Sequence, residues 1–97
     1  MYRKTIDELQ EDTREKQVID LRGEDDFEKE TYPWAMNIYW EELGERIDEV
    51  AKDMPVYLIC YTGQKSDELA QDLQTKGYEA YSVEGGYRAY LRKKLAD

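Results

Sequence analysis

The stretch VYLICYTGQKS, residues 56–66, contains the chain's only cysteine. An apolar run, residues 56–60, ends in its sulfur. A short polar segment with one glycine and one lysine follows, and Ser66 or Asp67 then opens a helical pattern. A near-continuous apolar run of this length suits a central strand buried on both faces. In an open α/β sheet the reactive crevice lies outside the carboxyl ends of the strands, which is where Cys60 falls. Tyr61, Thr62, Gly63, Gln64 and Lys65 form a segment short enough to curl around the sulfur. Gly63 would allow close approach, and inward-turned amides would form a nest. Such a cradle, with Lys65 and the helix N-terminus, favours the attacking thiolate and an anion beside it. A structural reading stands next to this one, since a free cysteine is also a small apolar residue that can simply end a strand.

Working outward, strands and helices alternate. TIDEL, residues 5–9, starts a short helix, with Thr5 and Glu8 at capping-box spacing. QVIDL, residues 17–21, reads as a strand bounded by Gly23, and Glu24, Asp25 and Asp26 suit the first turn of a helix. AMNIY, residues 35–39, reads as a strand after Pro33. Leu43, Ile47, Val50 and Ala51 recur at helical spacing and predict a helix over residues 41–52. Leu69, Ala70 and Leu73 face inward on the helix after the cysteine, with Gly77 as its C′ residue. EAYSV, residues 79–83, is a strand, and Gly85 and Gly86 make a turn. Tyr87, Tyr90, Leu91 and Leu95 stripe a last helix. The alternation predicts an α/β fold with a central, mostly parallel sheet flanked by helices on both faces.

The chain has 97 residues and no internal repeat or Gly/Ser/Pro linker, so residues 1–97 read as one domain. Its net charge of −9 would repel a phosphate backbone, which sets nucleic acid aside as a partner. The acidity suits a soluble surface, with docking of a basic protein as the sharper alternative. No apolar run approaches the roughly 20 residues of a membrane span, and the N-terminus lacks a signal-peptide core. A single cysteine forms no internal disulfide, which fits a reducing cytoplasm. With no histidine and one cysteine, a soft-metal site has too few ligands, and no cofactor is implied.

CYTGQKS, residues 60–66, resembles the active-site loop of rhodanese-like domains, which run Cys-x-x-Gly-x-Arg-Ser. VIDLR (18–22) resembles the family's Asp-x-Arg segment, FEKETYPWAMNI (27–38) its approach to Asn-Ile, and VEGGYRAY (83–90) its Gly-Gly-aromatic turn. The four matches fall in order along nearly the whole chain. The resemblance implies a sulfurtransferase. Cys60 would take a sulfane sulfur from a donor such as thiosulfate, become a persulfide, and pass the sulfur to a thiol or cyanide acceptor. Residues 61–65 would form the substrate cradle, while Asp20, Arg22 and Ser66 would support the loop from behind. The alternative within the resemblance is a persulfide relay or docking module partnered with a sulfur-trafficking protein, with little activity on free thiosulfate.

The chain departs from the family pattern in two places. Lys65 stands where the family usually has arginine, which keeps the charge but loses the planar fork that grips an oxyanion. Thr31, Tyr32, Pro33, Trp34 and Ala35 replace His-Ile-Pro-Gly-Ala, and Trp34 is expected to cover core surface, with lining a pocket as the alternative. With no histidine in the chain a Cys–His dyad is excluded. A cysteine phosphatase is disfavoured, because Cys-x5-Arg would place arginine at position 66, where Ser66 stands.

Overall fold

The computed structural model describes residues 2–96. In chain order the elements are β1 (Arg3–Lys4), α1 (Ile6–Glu11), β2 (Gln17–Asp20), α2 (Glu24–Lys29), β3 (Met36–Asn37), two 3-10 turns (Trp40–Glu42 and Ile47–Glu49), β4 (Val56–Ile59), α3 (Gln64–Thr75), β5 (Ala80–Val83) and α4 (Gly86–Ala96). The five strands form one sheet in the order β1-β5-β4-β2-β3, and every pairing is parallel.

The central strand is β4. Val56 and Leu58 pack on one face with Leu43, Val50, Ala70 and Leu73. Tyr57 and Ile59 pack on the other with Ile6, Leu9, Val83 and Tyr87. All four strand residues are at most 1% exposed. Fully burying an aliphatic side chain of this size stabilises by about 1.5–3 kcal/mol, so this strand anchors both layers. From β2 the chain moves outward to β3, whereas from β4 it moves the opposite way to β5. The gap between the carboxyl ends of β2 and β4 is therefore the topological switch point, where open α/β sheets place their sites.

Local signals account for the element ends. Thr5 caps α1 with the reciprocal Glu8 bond of a capping box. Gly77, at φ 91°, ends α3: its N–H donates to the Gln74 carbonyl and that of Tyr78 to Leu73, a Schellman closure.

The structure corrects several expectations. Residues 41–52 form no continuous helix but the two 3-10 turns. The segment is pinned at its start to the residue after β2 and at its end to β2 itself. Trp40 N–H donates to the Leu21 carbonyl at 3.1 Å, and the Gln17 side chain bonds both the N–H and the carbonyl of Ala51. Leu43 and Val50 still reach the core, with Gly44 between the turns. Helix α3 begins at Gln64 rather than at Ser66 or Asp67, so Gln64 and Lys65 belong to its first turn, with Gly63 as N-cap. The strand expected over residues 35–39 shrinks to Met36–Asn37, and β1 was not foreseen. Leu95 is 79% exposed and leaves the apolar stripe of α4. Trp34 does not cover the core. It is 72% exposed at φ 52°, with its ring edge-on to Tyr32.

The β5–α4 turn is held against the segment after β4. Gly86 has φ 59°, and a Cβ there would lie 2.2 Å from the Cys60 carbonyl oxygen and 2.8 Å from the Tyr61 carbonyl. A side chain would meet both left-handed strain and fixed backbone. Gly86→Ala is expected to destabilise the fold by at least about 2 kcal/mol. Gly23→Ala, where an added Cβ meets nothing within 4 Å, is expected to cost no more than about 1 kcal/mol, the scale of a helix N-cap. Urea denaturation of the two variants checks the contrast.

Candidate active site

Cys60 follows the last residue of β4 and is 7% exposed. The chain turns sharply there because two carbonyls are taken up by the start of α4. Tyr87 N–H donates to the Cys60 carbonyl at 2.6 Å and Arg88 N–H to the Tyr61 carbonyl at 3.1 Å. Gly63 reverses the loop at φ 105°, a left-handed conformation that favours glycine. The loop then folds back over the sulfur. Gly63 N–H donates to Sγ at 3.1 Å and Ser66 N–H at 3.4 Å. These are the amides that the structure brings onto the sulfur. The Tyr61 side chain turns away, 47% exposed, and its hydroxyl donates to the Asp26 carboxylate.

Ser66 sits behind the sulfur, fully buried. The thiol donates to its Oγ at 3.4 Å, Oγ donates to the Gly63 carbonyl at 3.1 Å, and Ser82 Oγ lies 2.7 Å away. With the sulfur ionised, the chain can run the other way, from Ser82 to Ser66 to Sγ. Two amides and a hydroxyl then meet a negative sulfur, and hydrogen bonds to a charged acceptor are the stronger kind. Ser82 was not anticipated from the sequence. Its signal was a serine amid the apolar residues of a strand expected to lie in the sheet, since a buried hydroxyl requires a partner.

Asp20 and Arg22 lie at the carboxyl end of β2, beside the loop, and are 1% and 5% exposed. Arg22 reaches both Asp20 oxygens through Nε and Nη2, and Nη2 also donates to the Glu30 carbonyl at 2.5 Å. Thr31 Oγ1 donates to Asp20 at 2.7 Å, and the Asn37 amide donates to the carbonyls of Asp20 and Arg22. Burial works against the Arg22 charge, but the bonds to Asp20 outweigh it, so the guanidinium is held more firmly protonated than usual. The guanidinium lies 3.8 Å from the Tyr87 ring centroid, a cation–π contact. Burial, and then the Glu30 carboxylate that accepts from it, push the Tyr87 phenol up to about 12. Nε and Nη2 of Arg22 are thus engaged by Asp20 and the Glu30 carbonyl, and the residue also borders the hollow over Cys60.

Lys65 lines the hollow over Cys60. Its Nζ lies 4.2 Å from the Trp40 ring centroid and 3.6 Å from the Glu68 carboxylate. Tyr61, Thr62 and Gln64 border the same hollow, and Leu21, Tyr39 and Trp40 supply its apolar walls. Tyr39 and Trp40 were not anticipated either, because the sequence offers no sign that residues after β3 return to the end of β4. Among the described residues no group of three or more His, Cys, Asp or Glu side chains is placed to hold a metal ion, and no helix is long and apolar enough to cross a membrane.

The fold and the geometry are those of an α/β protein with a cysteine cupped by amides at the switch point of a parallel sheet. The comparisons with known proteins are more specific. The family model of the Rhodanese-like domain matches residues 4–93, and the chain belongs to that family. It is 34% identical over 87 residues to the uncharacterized protein YqhL of Bacillus subtilis (strain 168), spanning 89% of this chain and 69% of that one. It is 32% identical over 74 residues to thiosulfate sulfurtransferase GlpE of Coxiella burnetii (strain RSA 331 / Henzerling II), spanning 75% of this chain and 69% of that one. The solved rhodanese-like domain protein from Staphylococcus aureus superposes with a TM-score of 0.83 at 26% identity, over 93% of this chain and 91% of that one.

The Ser82 hydroxyl orients Ser66 toward the sulfur. Ser82→Ala is expected to slow alkylation of Cys60 by iodoacetamide about 2- to 10-fold, the equivalent of one hydrogen bond. Stopped-time mass spectrometry at fixed pH measures it. An unchanged rate would mean that Ser82 only fills space.

Proposed function

We propose that the chain is a sulfurtransferase that carries a sulfane sulfur on Cys60. The observation that supports this most directly is the pair of amides, Gly63 and Ser66, donating to the one sulfur in the chain. The Cys60 thiolate attacks the outer sulfur of thiosulfate, the S–S bond of the donor breaks, and sulfite leaves with the electron pair. The product is a Cys60 persulfide, whose terminal sulfur is then attacked by a thiol or cyanide, restoring the thiolate. Covalent catalysis in two half-reactions gives ping-pong kinetics. The amides that hold a negative Cys60 sulfur remain in place for each half-reaction, so the site needs no histidine base. A protein donor or acceptor, in a relay with a sulfur-trafficking enzyme, is the second form of the same chemistry. It is favoured by the open mouth of the hollow, where Tyr61 and Lys65 stand at the surface.

Incubation with excess thiosulfate is expected to add one sulfur atom to the intact mass, and addition of cyanide to remove it as thiocyanate. Cys60→Ser is expected to fold and to lose both steps. Wild-type turnover by that variant would overturn the assignment.

Lys65 meets the anionic end of the donor from the rim. A buried, preorganised oxyanion donor contributes about 10²–10³ in rate, but the Lys65 side chain is 44% exposed and its charge is screened by solvent. Lys65→Ala is therefore expected to slow persulfide formation from thiosulfate by only about 10-fold. Lys65→Arg is expected to retain or improve it, because the guanidinium fork fits an oxyanion. Single-turnover kinetics of loading and unloading separate this from an effect on the acceptor step.

A further inference from the structure

Trp34 stands where the family pattern has glycine, and among the described residues it alone carries a side chain at positive φ. A bulky residue enters the left-handed region only at a cost. Burial does not offset that cost, because the ring is exposed. Its contacts are the edge of the Tyr32 ring, with centroids 5.7 Å apart, and the Lys16 ammonium, 5.9 Å from its centroid. Backbone strain held without a packing return marks a residue kept for a contact outside its own chain. Beside Trp34 lies a hollow of about 230 Å³, lined by Gln10, Tyr32, Pro33, Tyr90, Lys93 and Lys94. It has room for one indole and shares no residue with the hollow over Cys60. Tyr32 and Tyr90 form its aromatic floor, their centroids 5.2 Å apart. The rim carries both signs of charge: Lys93 pairs with Asp7 at 2.7 Å, and Lys94 pairs with Glu30. An exposed knob and an open hole thus sit side by side on one face.

We propose that this face is the interface with a second copy of the chain, in which each Trp34 enters the hollow of the other. A two-fold axis beside the corner brings knob to hole twice, the isologous arrangement of a closed dimer. A surface that must match itself cannot be of one sign, and the mixed rim meets that condition on a chain whose net charge is −9. The incoming indole lies against Tyr90 and Pro33, where aromatic contact adds to burial, and the Lys93 and Lys94 ammonium groups border it as cation–π partners. A stable interface takes about 800 Å² from each partner, and the chain exposes 5810 Å². The aromatic corner supplies the apolar centre of such a patch, and the exposed sides of α1 and α4 that flank the hollow supply its polar rim.

The test is sedimentation equilibrium of the full chain. The wild type is expected to be a dimer at about 200 µM and a monomer at about 1 µM, the range of a small reversible interface. Added salt is expected to tighten the dimer, because it screens the repulsion between two chains of net charge −9. Trp34→Gly is expected to raise the dissociation constant at least about 30-fold, as loss of a central aromatic anchor does. The same variant is expected to keep the urea midpoint of the dilute wild type, since glycine takes the left-handed conformation without strain. Gln10→Trp, at an exposed position, fills the hollow with a side chain of its own and is expected to weaken the dimer while Trp34 stays in place. A wild type that remains monomeric at about 200 µM in high salt overturns the proposal, and so does a dimer that Trp34→Gly leaves intact. Association that weakens as salt is added overturns it as well, because ion pairs between other surfaces then hold the chains together. A monomer whose Trp34 emission moves to the blue only on phosphatidylglycerol vesicles overturns it in favour of a membrane surface.

Discussion

Everything at the site depends on how closely the start of α4 approaches the peptide after β4. Gly86 comes so near the carbonyls of Cys60 and Tyr61 that no side chain fits between them, and the N–H groups of Tyr87 and Arg88 donate to those same carbonyls. With both carbonyls held from below, the chain cannot continue as a strand. It must turn, and Gly63 completes the reversal in a left-handed conformation. Only then do the amides of Gly63 and Ser66 reach the sulfur. The loop owes its shape to a contact made more than twenty residues further along the chain.

A second constraint holds the other side of the crevice. Asp20 and Arg22 are almost fully buried as a pair; Thr31 donates to the Asp20 carboxylate, Arg22 to the Glu30 carbonyl, and Asn37 to the backbone carbonyls of both. A buried pair of this kind is poor evidence for stability on balance, but removing one partner leaves an unpaired charge inside, a loss of about 3–5 kcal/mol. The pair fixes the path of residues 20–23 alongside the cysteine loop. At the mouth of the hollow stands Lys65, at a position where the family pattern has arginine. That lysine rests on Trp40 and not on a second cation, which gives the mouth of the site an aromatic rather than a strongly basic character.

In this chain, which has no histidine, backbone amides are what donate to the cysteine sulfur. Backbone donors are indifferent to the identity of Tyr61, Thr62 or Gln64. They are sensitive to glycine at 63 and to anything that shifts the loop. The serine pair extends the cradle inward. Ser66 comes from α3 and Ser82 from β5, so the hydrogen-bond path runs from the sheet to the sulfur through the first turn of the helix.

Much of this was legible in the sequence, because it is encoded locally. The apolar run ending in Cys60, the glycine at 63, the capping box at Thr5 and the glycine after α3 each act over a few residues, and each is found where the pattern placed it. The alternation of strands and helices likewise forces a parallel sheet, since parallel neighbours need crossovers. Where the sequence misled, tertiary contacts overrode the period. Residues 41–52 carry helical spacing but are tied at their start to the residue after β2 and at their end to β2 itself, and break into 3-10 turns, and Trp34, in a left-handed backbone conformation, points to solvent. The partners of the cysteine were decided by the fold alone. Ser82 meets Ser66 because β5 lies beside β4, and Tyr39 and Trp40 reach the hollow because the chain leaves β3 across the end of β2. Strand order and register bring together residues far apart in the chain, and no local pattern carries that information. The sequence by itself determined the cysteine at the strand end and its loop; only the tertiary structure decided what surrounds them.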